Sequence, residues 1–304
     1  MKTVNATTPQ LRMLSSIRSH QWMIRPDAVQ DYALSALEAA EKSATEERAD
    51  SYWEQFYTLR KPMHLDADGV AHIEIRGALL FKCPPIYEYL GLATRYSTII
   101  AESLEAKGQG AKGVMYHVDS PGGTVAGVIE AGEAISTLGI PTVAFCSGMA
   151  CSAAYWLASG ANQIIASPSA TIGNVGAIIS WADCDKFWAD MGITFKAIVS
   201  EGADLKSTFH LEPDETQLAF LQESINAAGE GFRNHVIAGR GNAGATLDPE
   251  VFRAGWYSGD RALELGLADA IATRPEARDA VIVLICEPPE DSEDDSKDPE
   301  NVDP

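Results

Sequence analysis

Two glycine-rich or small-residue segments in this sequence could carry chemistry. The first is Asp119-Ser120-Pro121-Gly122-Gly123-Thr124-Val125, which follows a buried-looking apolar run. Adjacent glycines after a strand let bare backbone approach a ligand, and their N–H groups can point at a developing anion. The same pair also suits a plain tight turn. It is not a phosphate loop, because the GxxxxGK[ST] spacing and a dinucleotide-type acid are both missing. The second segment, Ser147-Gly148-Met149-Ala150-Cys151-Ser152-Ala153-Ala154-Tyr155-Trp156, crowds small residues around one hydroxyl at the expected start of a helix. Ser152 there is either an N-cap or a nucleophile. Cys151 is a rival nucleophile, although cysteine is among the most buried residue types.

A hydroxyl nucleophile needs a base. None of the six histidines (His20, His64, His72, His117, His210, His235) lies in a motif with acid and serine partners, and His72 and His117 read as packed residues within strands. A lysine can serve if dry surroundings keep it neutral, as in Ser-Lys variants of the triad. Lys206 follows an apolar strand-like run in the loop Glu201–Thr208, and Lys196 lies within that run. Either lysine read alone also suits a solvated surface position.

The elements that must position these groups alternate. Val70–Ile75, Gly113–Asp119, Pro141–Cys146, Gln163–Ala166 and Thr194–Ser200 read as strands. Ser97–Lys107, Thr124–Leu138, Ser152–Ser159, Asp183–Met191 and Asp214–Ala238 read as helices. Repeated strand–helix units imply an α/β fold with a parallel sheet covered by helices. Residues 1–62 form an N-terminal helical extension in this reading, with helices at Asp27–Arg48 and Ser51–Leu59. Residues 63–273 form the main domain, and residues 274–304 a C-terminal segment. Between Glu287 and Pro304 nine acidic residues meet one lysine and four prolines, the composition of a disordered acidic tail.

The 304 residues carry 23 Lys+Arg against 43 Asp+Glu, a formal charge of −20. Such a chain repels nucleic acid and anionic membrane, so neither is expected as a partner. No run of eighteen apolar residues exists, which excludes a simple membrane span, and no signal-peptide pattern opens the chain. Five scattered cysteines without a CxxC pair fit a reducing, cytoplasmic compartment and argue against a zinc ribbon. No metal or other cofactor is expected.

The ordered motifs DSPGGTVAG, GMACSAAYWLAS, SATIGNVGAI, FKAIVSEGADLK and YSGDRALELGLADAI resemble the signal peptide peptidase A family of Ser-Lys proteases. The sequence looks most similar to its lambda-type phage head-maturation branch, and the resemblance covers about Val70–Thr273. It implies a Clp/crotonase-like fold of repeated ββα units. It also implies an ATP-independent serine endopeptidase with Ser152 as nucleophile and Lys206 as general base. The N–H groups of Gly123, or second to it Gly122, and of Ala153 would form the oxyanion hole. Thr171 would orient the lysine, with Ser169 as a weaker candidate. The run ACSAAY stands where many members have AASGGY, and no glycine immediately precedes Lys206. The implied partners are peptide or unfolded substrates, phage scaffold and head proteins, and further copies of the chain in a ring. The implied location is the host cytoplasm within an assembling prohead. Alternatives are a cytoplasmic peptidase clearing membrane or signal peptides, a crotonase-type acyl-CoA enzyme, and a non-catalytic assembly protein.

Overall fold

Strand residues alternate between two covered faces, which is why the apolar runs are nearly continuous. A computed structural model describes residues 22–24 (backbone only), 60–180, 185–206, 212–242 and 244–287. The expected helices at Asp27–Arg48 and Ser51–Leu59 lie outside the described residues, as does nearly all of the acidic tail. In chain order the elements are β1 (Trp22–Ile24), β2 (His64–Leu65), β3 (Val70–Leu80), α1 (Pro85–Tyr89), β4 (Ala93–Arg95), α2 (Tyr96–Gly108), β5 (Gly113–Thr124) and α3 (Val128–Ser136). Then come β6 (Thr142–Cys151), α4 (Ala153–Ser159), β7 (Gln163–Ala166), β8 (Thr171–Gly173), α5 (Asp185–Asp190) and α6 (Glu215–Asn242). A 3₁₀ turn (Pro249–Arg253), β9 (Trp256–Ser258), α7 (Gly259–Glu264), β10 (Ala270–Ile271) and α8 (Arg274–Cys286) follow.

The strands form one mostly parallel sheet with the central order β10-β7-β6-β5-β3-β2. β3, β5, β6, β7 and β10 run parallel, as α/β crossovers require, while β2 returns antiparallel on β3. The first face carries Ile73, Ile75, Val114, Tyr116, Val118, Ala144, Cys146 and Ile164. It packs under Ile99 of α2, Val128 and Ile135 of α3, Trp156 of α4, and Phe232 and Val236 of α6. The second face carries Val70, Met115, Val143, Phe145 and Ile165 beneath Ala277 and Val281 of α8. The packed unit therefore continues past Thr273 through α8, whose entry is fixed by a Thr273–Glu276 capping box. Among the described residues no helix is long and apolar enough to cross a membrane.

Two expectations need correction. Thr194–Ser200 is not a strand: it is exposed irregular chain, because none of its backbone joins the sheet ladder that would hold it extended. The helix expected from Thr124 starts instead at Val128, after Gly127 at φ 91°. β5 continues through the Asp119–Thr124 segment and pairs with β3 as far as Leu79–Gly123.

Two buried polar clusters tie the sheet's edges. Arg240, near the end of α6, is 1% exposed and makes a bidentate pair with Asp269 (2.9 and 2.5 Å) beside β10. Its Nε donates to the Gly266 carbonyl, so the long helix is anchored at its C-terminal end. At the other side, His72 of β3 meets His117 of β5 at 3.0 Å, and Asp66 accepts from His72 at 3.3 Å. Burial, with Arg274 and the neighbouring histidines, lowers His117 to about 3. Burial acts to raise the Asp66 carboxyl, but hydrogen bonds from the Val70 N–H, Arg278 and His72 outweigh it and hold Asp66 well below the usual carboxylate range. The native state thus refuses a proton on His117 that the unfolded chain accepts near its ordinary value of 6.5. The stability this group protects is complete above pH 6.5 and is lost as pH falls toward about 3. The urea midpoint should fall between pH 7 and 4.5, and His117→Asn should flatten that slope.

Candidate active site

The segment from Asp119 to Thr124 is held open by its own side chains. Between the Val118–Cys146 and Ser120–Ala150 pairs, β5 advances two residues while β6 advances four. The extra residues of this bulge are gripped by Asp119, whose carboxylate accepts the Met149 N–H at 3.0 Å. Ser120 donates to the Gly77 carbonyl at 2.6 Å and accepts the Gly122 N–H at 3.1 Å. These two polar residues shape the site, and reading the segment only for its glycines misses them. Only the Ser120–Gly122 bond, two residues apart, had a local signal, since Ser commonly bonds to nearby backbone.

Both glycines are required, for different reasons. Gly122 has φ 107°, a region open to glycine at little cost. Gly123 lies so close to β3 that an added Cβ would sit 1.7 Å from the Leu79 carbonyl oxygen. Gly123→Ala is expected to cost about 1–3 kcal/mol through forced backbone shift. Gly108→Ala, where nothing lies within 4 Å, should be near neutral, and urea midpoints of the two variants make the comparison.

Ser152 sits where β6 turns into α4. Its φ of 56° and ψ of −124° are rare for a residue with a side chain. The conformation is maintained by its surroundings: the Ser152 N–H donates to the Gly173 carbonyl at 2.8 Å, and its carbonyl accepts the Trp156 N–H at 3.0 Å. Among the described residues the hydroxyl makes only a long 3.5 Å contact, to the Gly176 carbonyl. A strained, weakly bonded hydroxyl at such a junction is what a nucleophile needs. The N-cap reading fails, because the side chain makes no cap bond. Cys151 donates its thiol to the Thr171 carbonyl at 3.5 Å and is as fully buried as Ser152, so the strained backbone of Ser152, not burial, sets the two apart.

The register assembles the rest. Ser120 pairs with Ala150, so Gly122 and Ser152, each two residues further on, come to the same level of the sheet. The Ala153 N–H opens α4 and has no acceptor within that helix. The Gly122 N–H is already engaged by Ser120, which leaves Gly123 the better placed donor of the pair. Thr171 lies on β8 beside Met149 of β6, partly buried, whereas Ser169 precedes that strand and is exposed. Lys206 and Lys196 are both exposed on the 191–206 segment. Among the described residues neither ammonium group makes a hydrogen bond or ion pair. Ser152, Gly122, Gly123, Ala153 and Thr171 are thus gathered at one end of β5, β6 and β8, and both lysines stand on the solvent-facing segment beyond α5.

Comparison with known proteins follows this geometry. The model of peptidase family S49 matches residues 134–283, a span holding both the Ser152 junction and the Lys206 segment. A protein of Enterococcus faecium bearing the signal peptide peptidase SppA name is 32% identical over 178 residues, covering 56% of this chain and 50% of its own length. Capsid assembly protease C of Escherichia phage lambda is 29% identical over 216 residues, covering 69% of this chain and 48% of its own length. The chain spans about half the length of these curated relatives. A solved structure of the 1510-N membrane-bound stomatin-specific protease superposes with a TM-score of 0.42 at 14% identity, over 70% of this chain and 84% of that one. With that match running through the strained serine and the lysine segment alike, and with SppA and phage capsid proteases among the similar proteins, residues 134–283 of the chain match peptidase family S49.

Proposed function

We propose that the chain is an ATP-independent serine endopeptidase, on the Clp/crotonase-like fold that the family resemblance implies, with Ser152 as nucleophile and Lys206 as general base. The observation that carries this reading is the strained Ser152 at the β6–α4 junction, level with Gly122. Neutral Lys206 takes the Oγ proton as the oxygen attacks a peptide carbonyl. The resulting oxyanion is held by the N–H groups of Gly123 and Ala153, with Gly122 the lesser candidate. The lysine then passes its proton to the leaving amine, and water repeats the sequence on the acyl ester. Thr171 orients the lysine, and Ser169 is the weaker candidate for that role.

Lys206 must lose water to act. The segment that carries it exposes Phe187, Met191, Ile198, Val199 and Leu205, with Ile198 101% exposed. So many apolar side chains on one segment suit an interface, and a second copy packed there would dry the lysine. This supports a homo-oligomeric ring as the active form. An open groove of about 330 Å³, lined by Ala177, Ile179, Leu218, Leu221 and Ile225 together with the polar Gln222, begins one residue from the Gly176 carbonyl that Ser152 faces. It suits a substrate side chain with both apolar and polar atoms.

The similarity to lambda's capsid assembly protease favours scaffold, portal or neighbouring head proteins as substrates, met in the host cytoplasm within an assembling prohead. The similarity to SppA keeps a peptidase that clears membrane or signal peptides as the second reading. Intact-mass analysis of those head proteins, incubated with wild type and with Ser152→Ala, tests the first reading. Discrete fragments only with wild type support it, and intact head proteins in both reactions overturn it.

A further inference from the structure

β5 has partners on both sides for most of its length, with β3 on one and β6 on the other. The last β6 pair is Ser120–Ala150, after which β6 turns away into Ser152 and α4. From Gly122 to Thr124, β5 therefore keeps β3 on one side and offers an open edge on the other. That edge begins level with Ser152. In this chain it is filled by β1, which pairs antiparallel and one-to-one: Ile24 with Gly122, Met23 with Gly123 and Trp22 with Thr124.

We propose that this edge is the peptide-docking site and that the chain's own Trp22-Met23-Ile24 strand occupies it as a built-in competitor of substrate. The inference rests on the protease reading above. An extended segment that adds a strand at an exposed edge is a recurrent mode of peptide recognition, with main-chain bonds giving affinity. The antiparallel pairing sets the direction in which a substrate would run, opposite to β5. Gly122 and Gly123 present no side chains, so an added strand can approach closely. Three residue pairs give a short, marginal ladder, so the segment can leave and be replaced. Being tethered, it competes at an effective concentration on the order of millimolar. A substrate, or a neighbouring copy that claims this segment, has to displace it.

Full-length chains carrying Met23→Pro and, separately, Ile24→Pro test this. Proline removes an N–H, and adjacent N–H groups point to opposite sides of a strand, so one of the two variants loses a bond toward β5. In a Ser152→Ala background, binding of a fluorescein-labelled extended apolar peptide is followed by anisotropy. At least one proline variant should bind it about three- to tenfold more tightly than the parent, as loss of a tethered competitor requires. An unlabelled peptide of residues 18–28 should compete with the labelled one. In the Ser152 background, the same variant should raise peptide hydrolysis at low substrate by a similar factor. Equal binding by the parent and both variants with unchanged urea midpoints, or no competition by the 18–28 peptide, overturns the proposal. If the variant binds more tightly but no Ser152 form hydrolyses any peptide, the docking inference stands and the protease reading falls. If every form hydrolyses peptide equally well, the protease reading stands and the docking inference falls.

Discussion

Ser152→Ala is expected to lower peptide hydrolysis by about 10⁴- to 10⁶-fold, the scale seen when a protease nucleophile is removed. The fold should survive, because among the described residues the hydroxyl makes one long contact, to the Gly176 carbonyl at 3.5 Å. The main-chain bonds to Gly173 and Trp156 that hold the turn are untouched by the change. Stability should therefore shift by less than about 1 kcal/mol. Ser152→Gly adds a second, independent check. It should be equally inactive yet more stable than Ser152→Ala by about 1 kcal/mol, since glycine takes φ 56° without the penalty a Cβ incurs. Steady-state kcat/KM and urea midpoints of the three forms, measured together, separate the chemical role from the structural one. Persistent turnover in Ser152→Ala would remove Ser152 from the mechanism.

The second large effect concerns the base. Lys206→Ala should lower kcat by about 10³-fold or more, while Lys196→Ala should stay within about twofold, as expected when only one amine takes the Ser152 proton. Both side chains are exposed in the single chain, so exposure does not separate them. The separating feature is the family resemblance, in which FKAIVSEGADLK aligns the lysine at its end with the base. Lys206→Arg should not rescue activity, because a guanidinium stays protonated at any working pH. A loss confined to Lys196→Ala would reassign the base. Equal, modest effects of both substitutions would mean that neither lysine takes the proton.

Much of this architecture could be read from residue order, because the driving signals are local. Gln163–Ala166 is a strand at those bounds, and the helix expected to open at Ser152 begins one residue later. The run Gly113–Asp119 placed the strand, and the small residues around Ser152 placed the strand-to-helix junction. Four features were not legible, each because it depends on contacts between distant residues. The run Thr194–Ser200 has strand-like composition, yet no neighbour takes up its ladder, so it stays irregular. The glycine pair read as a turn or an anion cradle, but only the Leu79 carbonyl beside Gly123 shows why no side chain fits there. The part of Asp119, gripping the Met149 N–H across thirty positions, depends on a β6 bulge that no local pattern announces. The pairing of Trp22–Ile24 with Gly122–Thr124 is longer in range still, and a helical reading of the first sixty residues passes over it.

The central claim is that an uncharged lysine amine removes the Ser152 proton. The most direct measurement is the rate at which a serine-directed phosphonate labels Ser152, followed by intact mass between pH 6 and 10 in wild type and Lys206→Ala. The account expects the wild-type rate to climb with pH as the amine sheds its proton, and the Lys206→Ala rate to be lower by orders of magnitude and to lose that rise. A flat wild-type profile, or one that Lys206→Ala reproduces in both height and slope, would contradict it.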